Sequence, residues 1–173
     1  MERWQGGLEF DLTFDYTGDG VKRSYEDSLN RMGLNTVDAL AIHDLDLKHH
    51  RDWETATKYL DQLSNEGGYR ALRDLKDTGE IQAIGVGVNH IGMIPAFLER
   101  FEVDYFLVAM PYTLLDQPAL DEEFGMCADV GVNVVIGAVF ASGILATGSG
   151  NPGIYNYNAP EDEVLDRVRG MEV

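Results

Sequence analysis

The stretch "VDALAIHDLDLKHH" places His43 at the end of a short apolar run, with Asp44, Asp46, His49 and His50 within seven residues of it. An imidazole at the C-terminal end of a strand can donate a hydrogen bond to a substrate carbonyl or move a proton near neutral pH. It can equally end a strand by bonding a backbone carbonyl. Asp44, Asp46, His49 and His50 could ligate a metal together with His43, yet their spacing matches no recognised metal-binding pattern, and solvated loop charges are the simpler reading. Three further places carry chemistry-bearing groups. Asn89 follows "GVGV" and precedes a helical pattern, so its amide either reaches a ligand or caps the helix containing Phe97. Ser142 and Gly143, in "VFASGIL", could offer a hydroxyl and backbone N–H groups to phosphate oxygens. Cys127 falls on the apolar face of a helical stretch and reads as inert core.

The elements that position these residues are legible as an alternation. Four apolar runs, at 38–43, 82–88, 104–110 and 133–139, are continuous, as expected of parallel strands covered on both faces. Between them lie helical faces: Val21, Tyr25, Ser28, Leu29 and Met32 behind Asp19 as N-cap and before Gly33; Tyr69, Leu72, Leu75 and Lys76 before Gly79. Met93, Phe97, Leu98 and Phe101 form a third face, Leu120, Phe124, Cys127 and Ala128 a fourth, and Glu163, Val164, Arg167 and Val168 a fifth. Strand and helix in turn predict an α/β fold of right-handed parallel units. The loops "HDLDLKHH", "NH" and "ASGILATGSGNPG" then open on the C-terminal side of the sheet, where a site belongs. Periodicity alone does not separate a doubly wound sheet from a barrel. No GxGxxG or GxxxxGK[ST] motif follows a strand, so a Rossmann or P-loop nucleotide site is not supported.

Composition narrows the setting. With 173 residues the chain can bury roughly 70% of its unfolded surface as one domain. Thirty acids against thirteen bases give a formal charge of −17, which repels nucleic acid and anionic membranes. No apolar run reaches the roughly 20 residues of a membrane helix. "MERWQGGLEF" lacks the basic start and apolar core of a signal peptide, and a single cysteine leaves no internal disulfide, so a cytoplasmic setting is expected.

Taken together, "DYTGDGVKRSYEDSLNRMGLNTVDALAIHDLD", "LRDLKDTGEIQAIGVGVN", "YTLLDQ" and "GVNVVIGAVFASGILATG" resemble the aldo/keto reductase superfamily, most nearly its branch of sugar and pyridoxal dehydrogenases. The resemblance runs in unbroken order from about Phe14 to Val168. It implies an eight-stranded TIM (β/α)8 barrel binding NADP or NAD across its C-terminal face, and a tetrad of aspartate, tyrosine, lysine and histidine. His43 matches the histidine. The resemblance implies that this residue orients the reacting oxygen while a tyrosine, tuned by lysine and aspartate, takes the proton and the cofactor carries the hydride.

The same resemblance sets expectations about what lies elsewhere. The family's other three tetrad members precede the matched region, nothing in "MERWQGGLEFDLT" resembles them, and Tyr16 and Lys22 match a peripheral segment instead. The chain is therefore expected to be strands four to seven of one incomplete barrel domain, 1–173, and inactive alone. The parent protein would oxidise a small sugar or aldehyde, such as D-threo-aldose or L-fucose at C1 to the lactone, with pyridoxal as another possible substrate. Asn89, offset by one residue from a Ser-Asn pair, is implied as a cofactor contact. So are Ser142, Gly143 and Phe140, the last as a stand-in for a stacking aromatic; Ala109 replaces a usual glutamine. Cations for the cofactor's phosphates would come from outside this segment. The rival expectation is a non-catalytic half-barrel that self-associates through its exposed edges.

Overall fold

The computed structural model describes residues 13–156 and 158–172. The stretches compared above with a signal peptide and with the other tetrad members lie almost wholly outside the described residues.

Four parallel strands pair in the order β1 (Ala39–Ile42), β2 (Ala83–Val88), β3 (Tyr105–Val108) and β4 (Asn133–Ile136). The helices are α1 (Gly18–Met32), α2 (Leu47–His50), α3 (Trp53–Asn65), α4 (Gly68–Asp77), α5 (Met93–Leu98), α6 (Glu123–Val130), α7 (Ile144–Thr147) and α8 (Asp162–Met171). Every crossover moves to the next strand in the same direction. That winding, with one apolar face packed and the other open, is a sector of a barrel rather than a doubly wound sheet.

The packed face carries Ile42, Ile84, Val86, Val88, Phe106 and Val108, which share one core with Leu60, Leu63, Leu72, Met93, Ile94 and Phe97 from the helices. On the opposite face, Ala39, Ala41, Leu107, Asn133 and Val135 are exposed. The expectation of strands covered on both faces therefore holds only for β2, whose open-face glycines lie under the side chains of Tyr105 and His43; each of the other three has exposed residues on the open face. The strands are also shorter than the apolar runs, because their flanking residues belong to loops.

Two rings lie over glycines on the open face. A Cβ on Gly85 would fall 2.1 Å from the ring of Tyr105, its partner in register, and one on Gly87 would fall 3.3 Å from Cδ2 of His43. At the other end of the sheet, Lys76 Nζ reaches both carboxylate oxygens of Asp104 at 2.7 Å, and the Ile84 N–H donates to one of them.

Helix ends correct the sequence reading in two places. Thr17, not Asp19, caps α1: its hydroxyl accepts from Gly20 N–H at 3.1 Å and donates to Asp15 at 2.7 Å. Asp19 sits in the first turn, where its charge suits the helix dipole. Gly33 ends that helix in the left-handed region, φ 65°, as expected. The polar loop after β1 contains α2, and α3 follows with Asp52 as its cap.

Candidate functional site

β1 and its packing decide where His43 points. Ile42 is buried on the helix side, so the next residue turns its imidazole to the open face, over Gly87 of β2. The side chain is 76% exposed, with Nδ1 3.4 Å from Asp44 Oδ2. Below the sheet end, its carbonyl accepts from the hydroxyl of buried Tyr16 at 3.1 Å. The following residue, Asp44, has φ 57°, a conformation uncommon outside glycine.

All four histidines of the chain gather at the ends of β1 and β2. His49 Nδ1 lies 3.2 Å from Asp44 Oδ1 and 3.4 Å from Asp46 Oδ1, and His90 Nδ1 lies 4.0 Å from Asp46 Oδ2. These are close approaches rather than aligned hydrogen bonds, since both Nδ1 atoms are buried without one. His50 sits among Phe14, Tyr16 and Tyr59, with ring centroids 4.4 Å apart for the His50–Tyr59 pair. Burial pushes its imidazole below the ordinary histidine range.

Asp46 is wholly buried and acts as the hub. Its Oδ1 accepts from Lys48 N–H at 2.9 Å, capping α2. Its Oδ2 accepts from both the backbone N–H and the side-chain amide of Asn89, at 3.2 and 2.7 Å. Burial opposes the charge, but the Asn89 amide, the His90 imidazole, the Lys48 N–H and His49 outweigh it and hold the carboxyl below its ordinary range. The expectation that Asn89 caps α5 is thereby corrected: Gly92 occupies the cap, and the Asn89 amide is committed to Asp46.

A second buried acid grips the far end of the same loop. Glu123, the first residue of α6, accepts from Gly92 N–H through Oε1, while Oε2 is buried without a partner. Here burial, with the neighbouring charge of Glu122, raises the carboxyl above its usual range despite the Gly92 bond. Sequence reading weighed Asp46 as a metal ligand or a solvated loop charge and did not single out Glu123, because burial is not written in local spacing.

The remaining candidates lie beyond β4, two strands away from β2, and do not converge on His43. Ala141, Ser142 and Gly143 all take positive φ, at 49°, 60° and 97°. Ser142 Oγ accepts from Asn156 N–H at 3.1 Å, and the Gly143 N–H donates to the Phe140 carbonyl at 3.0 Å, so that N–H is already used. Phe140 is 56% exposed and borders a small cavity with Leu114, Leu145, Val168 and Met171. Arg167 bonds Asp116. Cys127 is buried in the core, where burial raises its thiol pKa.

A cavity of about 590 Å³ runs between α1 and β1, bordered by Tyr25, Leu40, Ile42 and His43. Among the described residues no group of three or more histidine, cysteine or acidic side chains is arranged to hold a metal ion, and no helix is long and apolar enough to cross a membrane.

Comparison with known proteins agrees with this architecture. The model of the Aldo/keto reductase family matches residues 10–168. The chain is 37% identical over 168 residues to a pyridoxal 4-dehydrogenase of Microbacterium luteolum, covering 97% of this chain and 48% of that protein. It is 31% identical over 178 residues to a D-threo-aldose 1-dehydrogenase of a Pseudomonas species, covering 96% and 51%. It thus spans about half the length of these curated relatives. An aldo-keto reductase from Bacillus halodurans (holo form) superposes with a TM-score of 0.58 at 23% identity, over 76% of this chain and 40% of that one. Half the length of its relatives, four sequentially wound strands and one packed face agree: this chain belongs to the aldo/keto reductase family and forms part of its TIM-barrel fold.

Proposed function

We propose that this chain is the central part, in one incomplete barrel domain, of an NAD(P)-dependent dehydrogenase, carrying the histidine of its catalytic site and one side of its cofactor site. The observation that carries the reading is His43: an exposed imidazole on the open face of the sheet, at the C-terminal end of a strand, resting over a glycine that leaves it room. The group beside it suits a nicotinamide cofactor, since the Asn89 amide stands at the adjoining strand end. When bound, the cofactor accepts the hydride. His43 donates a hydrogen bond to the reacting oxygen and orients it; the proton acceptor, with its lysine and aspartate, comes from the other half of the barrel. Asn89 holds the amide of the cofactor ring, and Phe140, Ser142 and Gly143 border its further course. The substrate is an aldose oxidised at C1 to the lactone, or pyridoxal, which gains support from the name of the 37% identical relative. The chain by itself does not turn over.

The test uses the whole encoded protein with NAD+ or NADP+ and, separately, L-fucose and pyridoxal. Substrate-dependent cofactor reduction that falls on the order of 100-fold in His43→Ala supports the reading. Activity unchanged by that substitution, in a protein that reduces the cofactor, removes His43 from the mechanism.

A second reading concerns the 173-residue chain on its own. Leu107 and Val135 face each other in register on the open side of the sheet, 40% and 48% exposed. An apolar open face flanked by strand edges favours association of two copies.

A further inference from the structure

We infer that Asp46 is a positioning residue that sets the polarity of the β2 end. By taking the nitrogen of the Asn89 amide it turns the amide oxygen outward, so the ligand group received there must be a hydrogen-bond donor, of the kind a primary carboxamide N–H supplies. The ligand part of this inference rests on the proposed cofactor site; the orientation of Asn89 does not.

The argument is one of valence. An ionised carboxylate only accepts, so whichever end of a neighbouring amide faces it must be the nitrogen. Asp46 Oδ2 takes two donors from Asn89, the backbone N–H at 3.2 Å and Nδ2 at 2.7 Å, across 43 residues of sequence. Oδ1 takes the Lys48 N–H at 2.9 Å. Four residues from two segments therefore surround the carboxylate: Lys48, through its N–H, and His49 of α2, and Asn89 and His90 after β2. A helix cap needs one oxygen near the surface. Asp46 is wholly buried and spends its second oxygen on a residue of the neighbouring strand end.

That commitment has a chemical consequence. A free asparagine can turn its amide and receive either a donor or an acceptor. Held by Asp46, Asn89 discriminates, because turning it would set two oxygens against each other inside the fold. The β2 end thus selects a ligand carrying N–H and rejects one that presents only a carbonyl and a methyl group in the same place.

Two variants separate this from a capping role. Asp46→Ser keeps a cap for α2 but is too short to reach Asn89; Asp46→Asn keeps the volume and can itself donate. In the 173-residue chain, nitrogen-15 NMR reads the side-chain amide of Asn89 directly. Its hydrogen exchange is expected to rise about tenfold or more in Asp46→Ser, while the Lys48 amide stays protected. Unchanged Asn89 exchange in both variants would overturn the inference.

The ligand part is read by binding, not turnover, in the whole encoded protein. NADP+ and its 3-acetylpyridine analogue differ in whether an NH2 or a methyl group is presented. The parent is expected to prefer NADP+ by about fivefold or more, and Asp46→Ser to lose most of that preference. If Asp46→Ser keeps the full preference, the selection by Asp46 is refuted. If Asn89→Ala binds both compounds as the parent does, the cofactor reading of Asn89 fails, and with it the ligand part, while the NMR result still decides the orientation.

Discussion

The hydroxyl of Tyr16 donates to the carbonyl of His43 at 3.1 Å, and the same oxygen lies 3.4 Å from Nε2 of His50. One buried phenol thereby ties the segment before α1 to the strand end that carries the exposed imidazole. Burial, with the charges of Asp44 and Asp46, raises the Tyr16 pKa, so it remains a neutral donor. Replacing it by phenylalanine leaves a carbonyl without its partner. Tyr16→Phe is expected to lower stability by about 1–2 kcal/mol in urea unfolding. A change near zero would mean water replaces the hydroxyl at no cost.

Acid should weaken the fold in two stages. The His50 imidazole titrates below its ordinary 6.5, so the unfolded chain binds the extra proton first, and stability falls as pH drops below about 6.5. Asp46 titrates below its ordinary 3.8; the stability it adds is complete above that value and is lost only as pH falls further, toward the folded value. Melting temperatures followed from pH 7.5 downward are expected to show the first stage, and His50→Gln to flatten it. A first stage unaltered in that variant assigns it to another group.

Glu123 has the opposite sign. Its carboxyl titrates above the ordinary 4.5, so the folded chain holds the proton more tightly and stability declines as pH rises through that value. Glu123→Gln keeps an oxygen for the Gly92 N–H and removes the buried charge. It is expected to raise stability at neutral pH by up to about 1 kcal/mol and to flatten the slope above pH 4.5. Loss of stability at pH 7 would show that the negative charge at the start of α6 matters more than its burial.

How much of this was legible beforehand differs by residue. The strand cores and the helices behind Phe97 and Leu72 were written in apolar spacing, and His43 in its place after "ALAI". The cap at Thr17 lost to Asp19 in sequence reading because both types cap well, and only the bond from Gly20 decides. The Asp46–Asn89 pair spans 43 residues, beyond any local pattern. The openness of one sheet face was also hidden, since continuous apolar runs look alike whether the second face is covered by helices or by a barrel's other strands.

Gly68 offers a test of the packing of α4 against the segment before α1. A Cβ there would lie 2.0 Å from the Tyr16 carbonyl oxygen, which is backbone and cannot turn aside. Gly68→Ala is expected to destabilise by about 1–3 kcal/mol in the same unfolding experiment. The control is Gly125→Ala, where no atom stands within 4 Å and helix propensity favours the change.

Association of the 173-residue chain is tested at Leu107. Leu107→Lys places a charge beside Val135 on the open face and is expected to shift sedimentation toward the monomer. Identical sedimentation of parent and variant excludes this face as the contact.

The two glycines of β2 give the sheet a ruler. Gly85 is claimed by the ring of Tyr105 from one side and Gly87 by the imidazole of His43 from the other. Sliding β1 by two residues, the smallest slip that keeps its apolar side inward, would bring His43 to a place already filled by Tyr105 or against the side chain of Asn89. Correct alignment of these strands is thus enforced by two vacant positions and the rings that fill them, and the part of the chain with the fewest atoms fixes where its exposed imidazole stands.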